Sequence, residues 1–351
     1  MTGLASSVVN GLLAIKPLAK FAKTRARTMM IDRAETLGVY WRDELKALQA
    51  RDSGVAMDPR WAEELSAIAN PDITYPAYYT TSFHAYDEGN LGWLPAMEVD
   101  IAARAVHAKI WPEGDPRAGV NGDAMLRQSY HDVLKAKLPA APQQIVDLGS
   151  SAGRSTFALQ QTFPGAQLRG VELSPYFVAV AQHMSQQQGA NGHERNNNNS
   201  AEPSPSAPSS SAPSSSASSS SEPSPSAPSP PVQWIHAAAE ATGLPAASAD
   251  LVSVCLVFHE LPTAAAHDVI AEAHRLVRPG GHFAIMDMNP QCDAFMKMPP
   301  YILTLLKSTE PYLDQYFSLD IVEAFQRAGF LEPSITLNSP RHRTIIGQKP
   351  V

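Results

Sequence analysis

Cysteine is scarce in this chain: Cys255 and Cys292 are the only two. Both lie in or just after apolar, strand-like runs, where a buried reduced thiol is the expected state. Two such cysteines make no disulfide framework, and the usage fits a reducing compartment. Long apolar runs are also missing, so no segment reads as a membrane span. Neither sign of charge dominates. The 27 basic and 34 acidic residues leave a net charge of −7, and no basic stripe is available to follow a phosphate backbone. That disfavours a nucleic-acid partner.

Two stretches lack something locally. No acidic residue precedes Asp32, while Lys16, Lys20, Lys23, Arg25 and Arg27 stand among small and apolar neighbours. Residues 1–30 therefore fit two descriptions. One is an organelle transit peptide, which would send the protein to a plastid or mitochondrion. The other is a basic amphipathic helix resting on a membrane or on the protein itself, in a cytoplasmic protein. Large apolar side chains nearly vanish from residue 186 to residue 231, which includes "EPSPSAPSSSAPSSSASSSSEPSPSAPSPP". Such a segment cannot bury enough surface to offset the entropy of ordering it, and its composition predicts disordered coil.

The sequence on either side of that segment carries a regular pattern. "QQIVDLGSSAG" at 143–153 reads as a strand and a tight glycine turn, and "RSTFALQQTF" then reads as a helix. "AQLRGVELSP" is a second strand ending at Glu172, followed by a helix from Pro175. Beyond the insert, "VQWIH" and "ADLVSVCLVF" are strands, "TAAAHDVIAEAHRLVR" is a helix stopped by "PGG", and "HFAIMDM" is a strand. A short helix and two strands close the chain. Neither half completes a sheet alone, so the insert interrupts one domain instead of separating two. The expected architecture is α/β and doubly wound. A mainly helical extension at 31–122 precedes a domain at 123–350, which the 186–231 insert interrupts.

A glycine turn after a first strand suits a nucleotide-like ligand, because main-chain N–H groups and a helix N-terminus face it. The dinucleotide fingerprint asks for G-x-G-x-x-G. Here Ser151 takes the middle position and Arg154 the last, which disfavours an NAD(P)-dependent oxidoreductase. Glu172 lies where a carboxylate at the tip of the second strand can accept both hydroxyls of a ribose. Asp147 is an acid inside an apolar strand, so a specific task is expected of it: orienting the turn and meeting a ligand ammonium, directly or through water.

"IVDLGSSAG" with "VELSP" resembles the class I S-adenosylmethionine-dependent methyltransferases. The resemblance covers about residues 123 to 350 without the insert, and "LVRPGG" marks the family's turn before the fifth strand. It implies a Rossmann-like sheet of seven strands and S-adenosyl-L-methionine as cofactor. By the same resemblance, Asp147, Gly149, Ser151, Gly153, Glu172, Leu173, Ala239 and Glu240 hold that cofactor. Ala238 stands where the family often has an aspartate, so the usual contact to the adenine amino group lacks its carboxylate. Residues 60–110, with "FHAYDEGNLGW", and 299–317, with "PPYILTLLKSTEPYLDQY", resemble plant and cyanobacterial members of the superfamily.

The implied reaction is in-line methyl transfer to a small-molecule acceptor. The competing expectation from another class is a non-catalytic cofactor-binding scaffold. A base is needed only where the acceptor must lose a proton. His259 and Asp287, at the ends of the fourth and fifth strands, are the expected catalytic residues, and Glu260 and Asn289 lie beside them. Glu310 and Tyr312 are candidates to face the acceptor. The aromatic run Tyr75, Tyr78, Tyr79, Phe83, His84, Tyr86 and Trp93 is either a lid over the acceptor or a loop clamped to the core. No metal site is expected, and the spacings say nothing about oligomeric state.

Overall fold

A computed structural model describes residues 16–84, 86–198 and 229–351. The reading of residues 1–15 as transit peptide, and of 199–228 as coil, concerns residues outside that set. Seven strands form one sheet in the order β3-β2-β1-β4-β5-β7-β6. They are β1 (Gln144–Leu148), β2 (Gln167–Glu172), β3 (Gln233–His236), β4 (Ala249–Cys255), β5 (Val277–Met288), β6 (Ser334–Leu337) and β7 (His342–Gln348). The first five run parallel, and β7 lies antiparallel between β5 and β6.

The sheet is buried on both faces, which explains the near-continuous apolar strands. Alternate residues serve opposite layers. Val146, Val252, Phe283 and Ile285 pack under helix α8 (Thr263–Leu276), against Ala266, Val269, Ile270 and Ala273. Ile145, Leu251, Ala284 and Met286 pack on the other side, against Leu126, Tyr130 and Leu134 of α5 (Gly122–Lys137) and Leu159 of α6 (Arg154–Thr162).

The helix after β2, α7 (Pro175–Asn198), overruns the expected boundary. Coil was expected from residue 186, yet the backbone stays helical to Asn198. Once a helix is nucleated by a packed first half, each added residue needs little further stabilisation. Gln, Ala, Glu and Arg in this stretch are also fair helix formers.

Among the described residues, four helices precede α5: α1 (Lys16–Thr36), α2 (Trp41–Ala50), α3 (Arg60–Ile68) and α4 (Trp93–His107). α3 and α4 pack onto α7 of the sheet domain, and α1 and α2 pack onto α4. Ile31 and Ala34 of α1 join Trp41, Ile101 and Ala105 in one cluster. Trp61 and Met97 meet Phe177 and Val180 of α7, and Ala152 of the glycine turn, in another. Glu98 ties these pieces together. Its carboxylate is fully buried and takes hydrogen bonds from Trp41 Nε1 at 2.8 Å and Tyr86 Oη at 2.5 Å, plus an ion pair with Arg27.

The lower layer holds a titratable group with a measurable consequence. His131 on α5 is buried, with Nδ1 2.8 Å from Thr162 Oγ1. Burial, with Arg127 and Lys135 nearby, pushes its pKa down to about 3 from 6.5. The unfolded chain therefore gains this proton at a higher pH than the folded one, so stability falls as pH drops below about 6.5. His131→Gln is expected to make the acid-side decline shallower by up to about 1.4 kcal/mol per pH unit. Urea unfolding at a series of pH values between 6.5 and 4 measures it, and an unchanged slope would contradict the assignment.

Candidate active site

Strand order reverses between β1 and β4, and the crevice at such a point opens at the carboxyl ends of the strands. A cavity of about 680 Å³ lies there. At one end its lining includes Gly149, Ser151, Glu172, Leu173, Ala239 and Glu240. At the other it includes His84, His259, Glu260 and Glu310, and Val99, Ala102 and Val106 of α4 form a side wall.

The glycine turn has the left-handed backbone that its composition suggests. Gly149 has φ 69° and Gly153 has φ 93°. A Cβ on Gly149 would come within 2.7 Å of Val257 Cγ2, and one on Gly153 within 2.7 Å of Trp234. Ser151, at the position of the missing middle glycine, is also left-handed, with φ 51°. A serine there carries backbone strain that glycine would avoid. Its N–H donates to Glu172 Oε2 at 2.9 Å, so the turn and the tip of β2 hold each other.

Two of the expected cofactor residues do not face the cavity. Gly153 packs behind the turn, against Trp234 and Phe157. Asp147 is also behind it, 1% exposed, and its Oδ2 accepts from Ser155 Oγ and Thr156 Oγ1, both at 2.7 Å. It therefore ties β1 to the first turn of α6. Burial, only partly offset by those hydroxyls, raises its pKa to about 6. Its Oδ1 is buried with no protein partner.

Tyrosines hold both acidic candidates at the cofactor end. Glu172 Oε1 accepts from Ser174 N at 2.8 Å and from Tyr79 Oη at 2.9 Å. Glu240 Oε1 accepts from Tyr78 Oη at 2.6 Å. Burial, more than those donors, decides the direction for Glu172, whose pKa is raised. Tyr75 stacks on Tyr79, and Tyr78 meets Tyr312 edge-on with centroids 6.5 Å apart. Tyr78 and Tyr79 are thus engaged at the cofactor end of the cavity, a pairing that spacing along the chain gave no means of finding.

The expected catalytic pair is in contact. His259 Nδ1 lies 2.8 Å from Asp287 Oδ1, and Asp287 Oδ2 accepts from the His259 backbone N–H at 3.2 Å. Asp287 is fully buried behind the imidazole and does not reach the cavity. Burial opposes charge on His259, but Asp287, with Glu260 and Glu310 beyond it, outweighs burial and raises the pKa to about 10. The sequence suggested an imidazole titrating near neutrality. The buried Asp287 carboxylate favours the charged form instead, which makes the imidazole a poorer general base than its type suggests. Asn289 is buried past the end of β5, and its Oδ1 accepts from Gln291 N at 3.2 Å.

The sheet order, with one antiparallel strand between β5 and β6 and a glycine turn facing a carboxylate on β2, agrees with a comparison of sequences. Residues 209–285 match the family described as "Methyltransferase domain". The fold is that of a class I S-adenosylmethionine-dependent methyltransferase. The methyltransferase match spans β3 to most of β5 and leaves out the glycine turn, which the insert separates from it. No curated protein matches the chain.

Solved structures resemble it at low identity. Phosphoethanolamine N-methyltransferase 2 of Haemonchus contortus, in complex with S-adenosyl-L-methionine, is 13% identical, with a TM-score of 0.41. The alignment covers 64% of this chain and 52% of that one, so the chain spans about half that enzyme's length. A SAM-dependent methyltransferase from Aquifex aeolicus is 14% identical over 69% of this chain and 97% of its own, with a TM-score of 0.43. A possible exported protein from Bordetella parapertussis is 13% identical over 94% and 97%, also at 0.43. Among the described residues, no helix is long and apolar enough to cross a membrane.

Proposed function

We propose that this chain transfers the methyl group of S-adenosylmethionine to a small-molecule acceptor. The observation that carries the reading is one cavity joining the glycine turn and Glu172 to a polar cluster beyond the tip of β4. Its size lies within the range of small-molecule sites. The residues fit the cofactor: the cavity reaches Gly149 and Ser151, and Glu172 Oε2 accepts a single hydrogen bond from the protein. The unpaired Asp147 Oδ1 suits a buried water behind the turn.

The bound cofactor would supply a methyl group already activated on a sulfonium. The protein's own tasks are then alignment and exclusion of water. Glu172 would accept ribose hydroxyls, and the walls of α4 would keep the acceptor end dry. Where an acceptor must lose a proton, the group formed by His84, His259, Glu260 and Glu310 is the polar surface within reach.

Calorimetric titration with S-adenosylhomocysteine, with NADH and NADPH in parallel, tests the reading. Saturable binding of the first alone supports it. Binding of a nicotinamide cofactor, or of none of the three, would overturn it. The Tyr79 hydroxyl already occupies a lone pair of Glu172 that a ribose would use. Tyr79→Phe is therefore expected to tighten S-adenosylhomocysteine binding by about 0.5–1.5 kcal/mol, the net worth of one competing hydrogen bond. The same calorimetry reads it, and weaker binding would mean that Tyr79 supports the cofactor instead of competing with it.

A further inference from the structure

Side chains from three distant parts of the chain converge at the acceptor end of the cavity. His84 comes from the loop before α4, His259 from the turn after β4, and Glu310 from the residue that ends α10 (Pro300–Thr309), which follows the short α9 (Asp293–Met296). One ligating atom from each lies within 4.8 Å of the others. His84 Nε2 is 2.9 Å from Glu310 Oε1. Glu260 Oε1 lies 3.9 Å from both His84 Nε2 and His259 Nε2. Two imidazoles and two carboxylates thus surround one point.

Three independent details go beyond proximity. Glu310 is 6% exposed, and its Oε2 is buried with no hydrogen-bond partner, although it lines the cavity. An orphaned buried carboxylate oxygen is costly and needs a counterpart. His259 has its Nδ1 against Asp287, which leaves Nε2 pointing at the cluster. A carboxylate behind an imidazole is the outer-shell arrangement that orients metal-binding histidines and fixes their tautomer. His84 is held in a left-handed backbone, φ 46°, by a hydrogen bond from its N–H to Thr309 O at 3.2 Å, next to Glu310. Strain of this kind in a non-glycine residue persists where the surroundings over-determine a position.

We propose that His84, His259 and Glu310, with Glu260 beside them, form a binding site for one divalent transition-metal ion at the acceptor end of the cavity. Mixed imidazole and carboxylate donors suit Zn²⁺ and its first-row neighbours, and they do not suit Mg²⁺ or Ca²⁺, which take oxygen ligands. Ligands around a tetrahedral zinc lie about 3.4 Å apart for bonds of about 2.1 Å. The 2.9 and 3.9 Å separations bracket that spacing. The cavity side is open to an oxygen donor from the acceptor, and this last step alone rests on the methyltransferase reading. The metal site itself stands without it.

The test uses the full chain after chelator treatment, titrated by calorimetry with Zn²⁺ and, as control, Mg²⁺. Co²⁺ is added separately to record visible absorption. The expected result is about one Zn²⁺ per chain, no comparable Mg²⁺ binding, and Co²⁺ bands of a nitrogen- and oxygen-ligated site. His84→Ala and Glu310→Gln are each expected to weaken Zn²⁺ binding by about 100-fold or more, since even outer-shell changes weaken metal sites by 10- to 100-fold. His84 is 38% exposed as a side chain, so its variant should fold, and thermal melting confirms that it does. No stoichiometric Zn²⁺ binding, or binding undiminished in both variants, overturns the site. S-adenosylhomocysteine titration of the same samples keeps the two readings apart. Zn²⁺ binding without nucleotide binding sinks the methyltransferase reading alone, and the reverse sinks the metal site alone.

Discussion

Glu172→Ala is expected to weaken S-adenosylhomocysteine binding by about 1.5–3 kcal/mol, the range for hydrogen bonds to a charged group. That is roughly ten- to 150-fold in affinity. The size follows from where the carboxylate stands. It is the acidic side chain at the tip of β2, it borders the cavity, and it also holds Ser151 N in the turn. Part of the loss would therefore come from a loosened turn. Glu172→Gln separates the two effects: it keeps an oxygen for one of the N–H donors but removes the charge, and is expected to fall between wild type and alanine. Calorimetry on all three proteins measures this. Alanine binding as tightly as wild type would remove Glu172 from the site.

Asp287→Ala is expected to destabilise the fold by about 3–5 kcal/mol, because it leaves the buried His259 without its partner. The direction with pH is definite. His259 has a folded pKa above its unfolded value. The stability gained from its charge is full below about pH 6.5 and is lost as pH rises toward about 10. The gap between wild type and variant should therefore narrow over that interval. Chemical denaturation of chelator-treated protein at pH 6.5 and pH 9.5 checks both statements. A small, pH-independent difference would show that the pair contributes little to stability.

What the sequence disclosed depended on distance along the chain. The segment β1–turn–α6–β2 was legible because its apolar alternation, its glycines and Glu172 fall within about thirty consecutive residues. The buried, continuous apolar run at 251–258 correctly gave a central strand. Asp147 was singled out for the right reason, an acid among apolar neighbours, but its partners were not foreseen. Ser155 and Thr156, in the first turn of α6, satisfy one of its two oxygens. The overrun of α7 was hidden because its far half lacks an apolar face, and composition alone cannot register propagation from a packed helix. The meeting of His84, His259 and Glu310 was not legible, since no local spacing links a loop before α4 with the end of α10. Tyr78 and Tyr79 were read as aromatic mass, and their hydroxyls proved to be what reaches the acids.

The walls of the cavity have a consequence for how the protein is made. One side comes from α4 and the loop before it, and the opposite side from residues beyond Met288, some two hundred positions later. During synthesis from the N-terminus, the glycine turn and Glu172 emerge long before Leu306 and Glu310. A nascent chain that has exposed the glycine turn and Glu172 still lacks the Leu306 and Glu310 part of the cavity wall. The cavity therefore takes its full outline only after residues far apart in the sequence have come together.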